Sequence, residues 1–198
     1  TFLDRASPYL QRDEARSSLL YSVALHVAKG HVYGREPPRF ACVRTGERVH
    51  ALALRTPPHR VLVHAVDREP RALRALARHF VSFDPLLSGV HGERDAAEAF
   101  ARAWESERGD AWSTCMEQCL YHLEGLPALP NVPGAFRLAM PADRSLLASW
   151  VDAFSREASS DSPAPDSKAL VDRHTAAGTL AVWVRERPVS MAVCSRTT

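Results

Sequence analysis

Lysine is almost missing from this chain: of 25 basic residues only Lys29 and Lys168 are lysines, and the rest are arginines. An arginine bias of that kind is what a GC-rich coding sequence produces. The arginines are scattered among acids and form no patch, which argues against nucleic-acid binding. Neither sign of charge is in excess: the net charge is +2 over 198 residues, so nothing points to a strongly charged partner. No apolar run approaches the roughly 20 residues that a membrane-spanning helix needs, and no secretory leader is recognisable. With no leader before them, the four cysteines (Cys42, Cys115, Cys119 and Cys194) point to a reduced, cytoplasmic setting and not to a disulfide framework. Phosphate-cradling glycine loops are missing too. Gly89-Val90-His91-Gly92 holds two glycines and fits neither a Walker nor a Rossmann pattern, and there is no Gly-x-Ser-x-Gly elbow. The first residue is Thr1 and not Met, so a processed or trimmed N-terminus is expected.

What is present is an ordinary globular composition, 45% hydrophobic and 24% charged, in a length of one large domain or one and a half smaller ones. Ser7-Pro8 is a good helix start, a capping hydroxyl followed by a residue that needs no donor, and helical periodicity through Leu19, Leu20, Val23 and Val27 predicts a helix over 7–28 ending before Gly30. Phe40-Ala41-Cys42-Val43 and residues 49–54 flank the turn Thr45-Gly46-Glu47, which predicts a hairpin. Thr56-Pro57-Pro58 reads as a strand end or bulge, because proline cannot donate to a ladder. Residues 60–66 read as a third strand with Val61, Val63 and Ala65 on one face. Helices are expected over 69–80 (Leu73, Leu76, Ala77, Phe80 inward) and 95–107 (Ala99, Phe100, Ala103, Trp104 inward), with a short segment at 88–92 between them and a strand over 115–123.

Residues 125–134 hold three prolines and two glycines and read as an interdomain linker. Beyond it, Phe136-Arg137-Leu138-Ala139 predicts a strand, Pro141-Ala142-Asp143 opens a helix to about residue 157, a polar loop spans 159–166, and a second helix over 167–177 ends at Gly178. Residues 180–184 and 189–194 form a predicted hairpin across Arg185-Glu186-Arg187-Pro188.

The order and spacing of several short motifs resemble tandem-domain GNAT N-acetyltransferases. In the second segment these are Phe136-Arg137-Leu138-Ala139, Pro141-Ala142-Asp143, Leu146-Leu147 with Trp150, Phe154 with Glu157, and Trp183 followed by Pro188-Val189-Ser190-Met191. In the first they are Glu14-Ala15, Thr56-Pro57-Pro58, Gly89-Val90-His91-Gly92 with Phe100-Ala101 and Trp104, and Leu120-Tyr121-His122-Leu123. The resemblance implies an α/β fold, a mixed GNAT-like sheet flanked by helices. It divides the chain into a degenerate N-terminal domain over 1–124, a linker over 125–135, and the first half of a C-terminal GNAT domain over 136–198. It also implies transfer of acetyl from acetyl-CoA to a primary amine on a small molecule or peptide.

Such a fold holds the acyl-CoA pyrophosphate on the backbone amides of a glycine-bearing loop at a helix N-terminus. In the first segment the matching position is Val66-Asp67-Arg68-Glu69-Pro70-Arg71, which has no glycine, two acids and a proline that removes a donor. In the second it would follow Thr198, so the chain is expected to be a truncated piece, inactive alone and without cofactor-binding residues of its own. On the acceptor side the resemblance implies Phe154, Glu157, Trp183, Ser190 and Met191, with Glu157 the candidate for a cationic acceptor; the catalytic residue is not assigned. The alternative is a non-catalytic GNAT-derived binding module, in which the open strand near Ala192 pairs two copies into a homodimer. A metal at Cys115, Cys119 and His122 lacks a fourth ligand and is not expected. His50, His59, His64 and His91 would serve nucleophilic chemistry only if one lay beside a serine or cysteine.

Overall fold

The computed structural model describes residues 1–67, 69–125, 127–128, 130–158 and 166–194. The chain is α/β and divides into two compact units, Thr1–Glu124 and Gly125–Thr197, each described here by itself.

The first unit opens with two helices where one was expected. Helix α1 spans Phe2–Leu10 and α2 spans Glu14–Ala28, separated by one turn of 3-10 helix, Gln11–Asp13. Ser7-Pro8 does not start a helix, and Pro8 lies inside α1. The start is set earlier by Thr1, whose hydroxyl accepts from the Asp4 amide while the Asp4 carboxylate pairs with the terminal ammonium. The break is held by Asp13, which caps α2 through the Arg16 amide at 3.2 Å, and by Ser17, whose hydroxyl donates to the Leu10 carbonyl at 2.5 Å. A kink here lets both helices lie on the same sheet face.

That sheet has the order β1-β2-β3-β4. Strands β1 (Arg39–Thr45), β2 (Arg48–Arg55) and β3 (Val61–Ala65) are antiparallel, and the two-residue β4 (Val90–His91) joins β3 in parallel. The hairpin forms as expected, and Gly46 supplies the positive φ of 58° that its two-residue turn requires. Strand β2 ends before Thr56-Pro57-Pro58. Helices α3 (Pro70–Phe83) and α4 (Arg94–Arg108) cover one face, packing Leu73, Leu76, Ala77, Phe80, Phe100 and Ala103 onto Ala51, Ala53, Val61, Val63 and Ala65. Helices α1 and α2 cover the other, packing Leu10, Leu20 and Ala24 onto Val49, Leu52 and Leu54.

Strict alternation would put Val49 on the same face as Ala51 and Ala53. It does not, because β1 and β2 slip by one residue: Val43 pairs with Ala51 and Arg44 with Val49, leaving His50 as the extra residue of a β-bulge. The bulge turns Val49 back to the α1/α2 core and re-aims the imidazole of His50.

The strand expected at 115–123 is corrected. No secondary structure forms between α4 and residue 125, and every residue from 109 to 125 is exposed. In the sequence around Cys115 and Cys119 the apolar side chains fall on both alternating faces, so a strand there needs two covering layers as well as a neighbour to pair with. In the structure this segment pairs with neither open edge of the first sheet, β1 or β4.

In the second unit the sheet order is β5-β6-β7, all antiparallel: β5 Ala135–Leu138, β6 Leu180–Val184, β7 Pro188–Val193. A 3-10 turn at Pro141–Asp143 leads into α5 (Arg144–Ala158), and α6 is Ser167–Ala176. Leu147, Ala148 and Val151 of α5 and Val171 of α6 pack on Leu180 and Val182, with Met191 and Val193 at the margin. Residues 159–165 of the expected polar loop lie outside the described residues, as do Arg68, Leu126, Leu129 and residues 195–198.

Candidate functional site

Pairing register settles which of the expected acceptor-side residues share a surface. In an antiparallel sheet, directly opposed residues point to the same face. Phe136 opposes Trp183, and Trp183 opposes Ser190, so these three form a row across β5, β6 and β7. The row lies on the face away from α5 and α6. Met191 opposes Val182 and packs into the helix-side core, so it points away from Ser190 and Trp183. Phe154, 66% exposed, and Glu157, also exposed, lie in the C-terminal half of α5, the helix that covers the opposite face of the sheet; Phe154 continues the helical stripe of Leu147 and Val151 but is not covered. The structure therefore brings Trp183 and Ser190 together and separates both from Phe154, Glu157 and Met191. Phe136, 65% exposed beside Trp183, reads in the sequence only as part of a strand motif. Its place in the row depends on strand register.

The indole of Trp183 is fixed from below: Nε1 donates to the Pro133 carbonyl at 3.1 Å. Gly134 makes this contact possible. Its φ is 128°, and a Cβ there would meet Trp183 Nε1 at 2.4 Å and the Val184 carbonyl oxygen at 2.6 Å. Gly134→Ala is expected to displace the indole and destabilise the second unit by about 2 kcal/mol, combining backbone strain with overpacking. Thermal unfolding together with tryptophan fluorescence measures both effects.

At the β3–α3 junction of the first unit, both acids already have partners. The Asp67 carboxylate accepts from Arg48 Nε at 3.1 Å and faces His50 Nδ1 at 3.0 Å. The Arg48 hydrogen bond, reinforced by His50 and opposed by desolvation, holds the Asp67 carboxyl below its ordinary value. Glu69 caps α3, accepting from the Arg71 amide at 3.2 Å, and Pro70 occupies the first helical turn. The Arg71 amide, one of those that would face a pyrophosphate, is thus met by the protein's own carboxylate.

His50 is placed beside a hydroxyl, and that hydroxyl belongs to a threonine: Nε2 lies 3.2 Å from Thr45 Oγ1. His64 is buried on β3 facing α2, with Nδ1 3.5 Å from Glu93 Oε1; Glu93 in turn pairs with Arg16. Burial, with Arg16 adding to it and Asp13 opposing, pushes the His64 imidazole down. Cys42, Cys115 and Cys119 are not joined in disulfides. Among the described residues no group of three or more His, Cys, Asp or Glu is placed to hold a metal ion, and no helix is long and apolar enough to cross a membrane.

No family model, curated protein or solved structure matches this chain.

Proposed function

We propose that the chain is part of a GNAT-type N-acetyltransferase that moves acetyl from acetyl-CoA to a primary amine, with the first unit as a degenerate scaffold. The observation that carries this reading is the second unit's element order, β5, 3-10 turn, α5, α6, β6, β7, closed into an antiparallel β5-β6-β7 sheet with both helices on one face. This is the strand–helix–helix–strand–strand opening that the sequence resemblance implies. The occupied β3–α3 junction supports the scaffold role, since Asp67 and Glu69 place negative charge where a pyrophosphate would have to sit. On the acceptor side the reading keeps Trp183 and Ser190 and adds Phe136. Met191 packs at the margin of the helix-side core in it, and Phe154 and Glu157 are exposed on α5.

The test is acetyl-CoA titration by calorimetry and hydrogen exchange on the complete product of the gene, followed by acetyl transfer to a panel of primary amines. Saturable binding, amine acetylation and no new protection over residues 61–73 are expected. A complete product that neither binds acetyl-CoA nor acetylates any amine sinks the reading. Protection centred on the β3–α3 junction would overturn the scaffold role.

A specific observation favours the second reading, a non-catalytic module that pairs with its own copy. Strand β7 is an edge strand and contains no charged residue, whereas edges are commonly guarded by charge. On the opposite edge of the same sheet, Phe136 and Leu138 of β5 are 65% and 50% exposed. Sedimentation equilibrium over a wide concentration range decides it: a strict monomer at the highest concentration removes edge pairing.

A further inference from the structure

The β-bulge in β2 sets up a constellation that neither the fold nor the acetyltransferase reading requires. His50 is the residue of β2 left without a partner on β1, and its ring lies between two side chains from neighbouring elements. On one side Nδ1 faces Asp67 Oδ2 at 3.0 Å, just beyond the end of β3. On the other, Nε2 faces Thr45 Oγ1 at 3.2 Å, at the last residue of β1. An ionised carboxylate can only accept, so the Asp67 contact places the imidazole proton on Nδ1 and leaves the Nε2 lone pair to receive the Thr45 hydroxyl proton. Arg48 keeps Asp67 ionised and in place. A hydroxyl, a base within reach of its proton, and a carboxylate orienting that base make up the arrangement that activates a weak nucleophile. Thr45 is exposed, so a reactant can approach it from solvent.

We propose that Thr45, His50 and Asp67 form a surface nucleophilic site that accepts the acyl group of an activated carboxylic ester. Thr45 Oγ1 attacks the ester carbonyl carbon as its proton passes to His50 Nε2. The carbonyl–oxygen bond to the leaving group then breaks, and the departing phenol or alcohol oxygen takes the proton back from Nε2. The product is an acyl ester on Thr45 with His50 again neutral. In hydrolysis, water attacks the acyl carbon as its proton passes to His50 Nε2, the bond between that carbon and Thr45 Oγ1 breaks, and Oγ1 takes the proton back from Nε2 as the carboxylic acid leaves. An exposed site gives the substrate little positioning, so the substrate class is small esters with a good leaving group, aryl esters first, and not amides. Asp67 is a positioning residue: it holds the ring and its tautomer and touches no substrate. The site is independent of the acetyltransferase reading and stands or falls on its own test.

The experiment treats the full chain with para-nitrophenyl acetate, follows nitrophenolate release, and maps acetyl groups by peptide mass spectrometry. Site mapping separates Thr45 from background acylation of the cysteines and other histidines. The wild type is expected to carry acetyl on Thr45. Thr45→Ser should retain the label at that position, Thr45→Val should lose it, and His50→Gln should slow labelling at residue 45 about 100-fold. Asp67→Ala should remove the fixed Nδ1–H tautomer of His50 in 15N-correlated NMR spectra, a signature that a merely structural role of Asp67 would leave unchanged. Absence of acetyl on Thr45, or equal labelling of Thr45 in the His50→Gln protein, overturns the proposal. An unchanged His50 tautomer in Asp67→Ala overturns the positioning role.

Discussion

Phe80→Ala is expected to destabilise the first unit by about 4 kcal/mol, the cost typical of emptying a fully buried aromatic site. Phe80 is completely buried at the centre of the α3/α4 face. Its ring centroid lies 4.9 Å from that of Phe83 and 6.2 Å from that of Phe100, both in tilted or edge-on geometries that add to simple burial. The alanine leaves a cavity bounded by two helices and by Ala51 and Ala53, side chains too short to fill it. Domains of this size are stable by only roughly 5–15 kcal/mol, so the variant should lose a large part of the margin, and its melting temperature should fall on the order of 15 °C. Denaturant unfolding followed by circular dichroism gives the free energy. Hydrogen exchange should show the loss in α3, α4 and β1–β3. Phe154→Ala is the control: its ring is 66% exposed, and a change within about 0.5 kcal/mol is expected. A Phe80→Ala protein as stable as that control would mean that α3 and α4 do not close this face.

Asp143→Ala should have the next largest effect, about 2–3 kcal/mol in the second unit. The carboxylate is 8% exposed and accepts three hydrogen bonds: Arg137 Nη1 at 2.6 Å, Arg137 Nη2 at 2.9 Å and the Met140 amide at 2.8 Å. This bidentate clamp ties β5 to the turn that begins α5, so it sets where the helix leaves the sheet. Removing it strands a guanidinium whose side chain is 31% exposed. Water reaches part of that charge, which places the cost at the lower end of the range for broken buried pairs. The same clamp predicts a pH dependence. Chiefly the Arg137 hydrogen bonds, with the Met140 amide helping and desolvation opposing, hold the Asp143 carboxyl below its ordinary 3.8. Unfolded chains therefore bind this proton at higher pH than folded ones. The stabilisation is complete above pH 3.8 and is lost as pH falls through the lower folded-state value. Asp143→Asn should flatten that acid limb, and stability measured between neutral pH and pH 2 by urea titration checks it. An acid limb as steep as in the wild type would place the responsible carboxylate elsewhere.

Much of the fold was legible because its signals are local. The inward positions of α3 repeat at helical spacing, and Leu73, Leu76, Ala77 and Phe80 are all buried. Val61, Val63 and Ala65 alternate and share the α3/α4 face. Gly178 ends α6 with a φ of 65°. Two readings failed for a common reason. Ser7-Pro8 has the chemistry of a helix start, but Thr1 and Asp4 cap an earlier one, and a short helix with other packing tolerates an internal proline. The sequence over 115–123 has strand-forming residues, but a strand exists only as half of a pair.

The candidate sites divide along the same line. Local sequence chemistry argued against an ordinary phosphate loop at the β3–α3 junction, since a missing glycine and two acids are properties of the residues themselves. It could not say that Asp67 would turn to Arg48 and His50, residues that come before it on a different strand. Nor could it place Thr45, His50 and Asp67 together, because that depends on a one-residue slip between β1 and β2 and on the β2–β3 register. Trp183, Ser190 and Met191 were chosen together, and strand pairing put the first two on one face and the third on the other. Periodicity, capping and turn chemistry act over a few residues and can be read from the amino acids in order. Register, bulges and cross-strand contacts are decided by which distant backbone groups pair, and only the folded chain settles that.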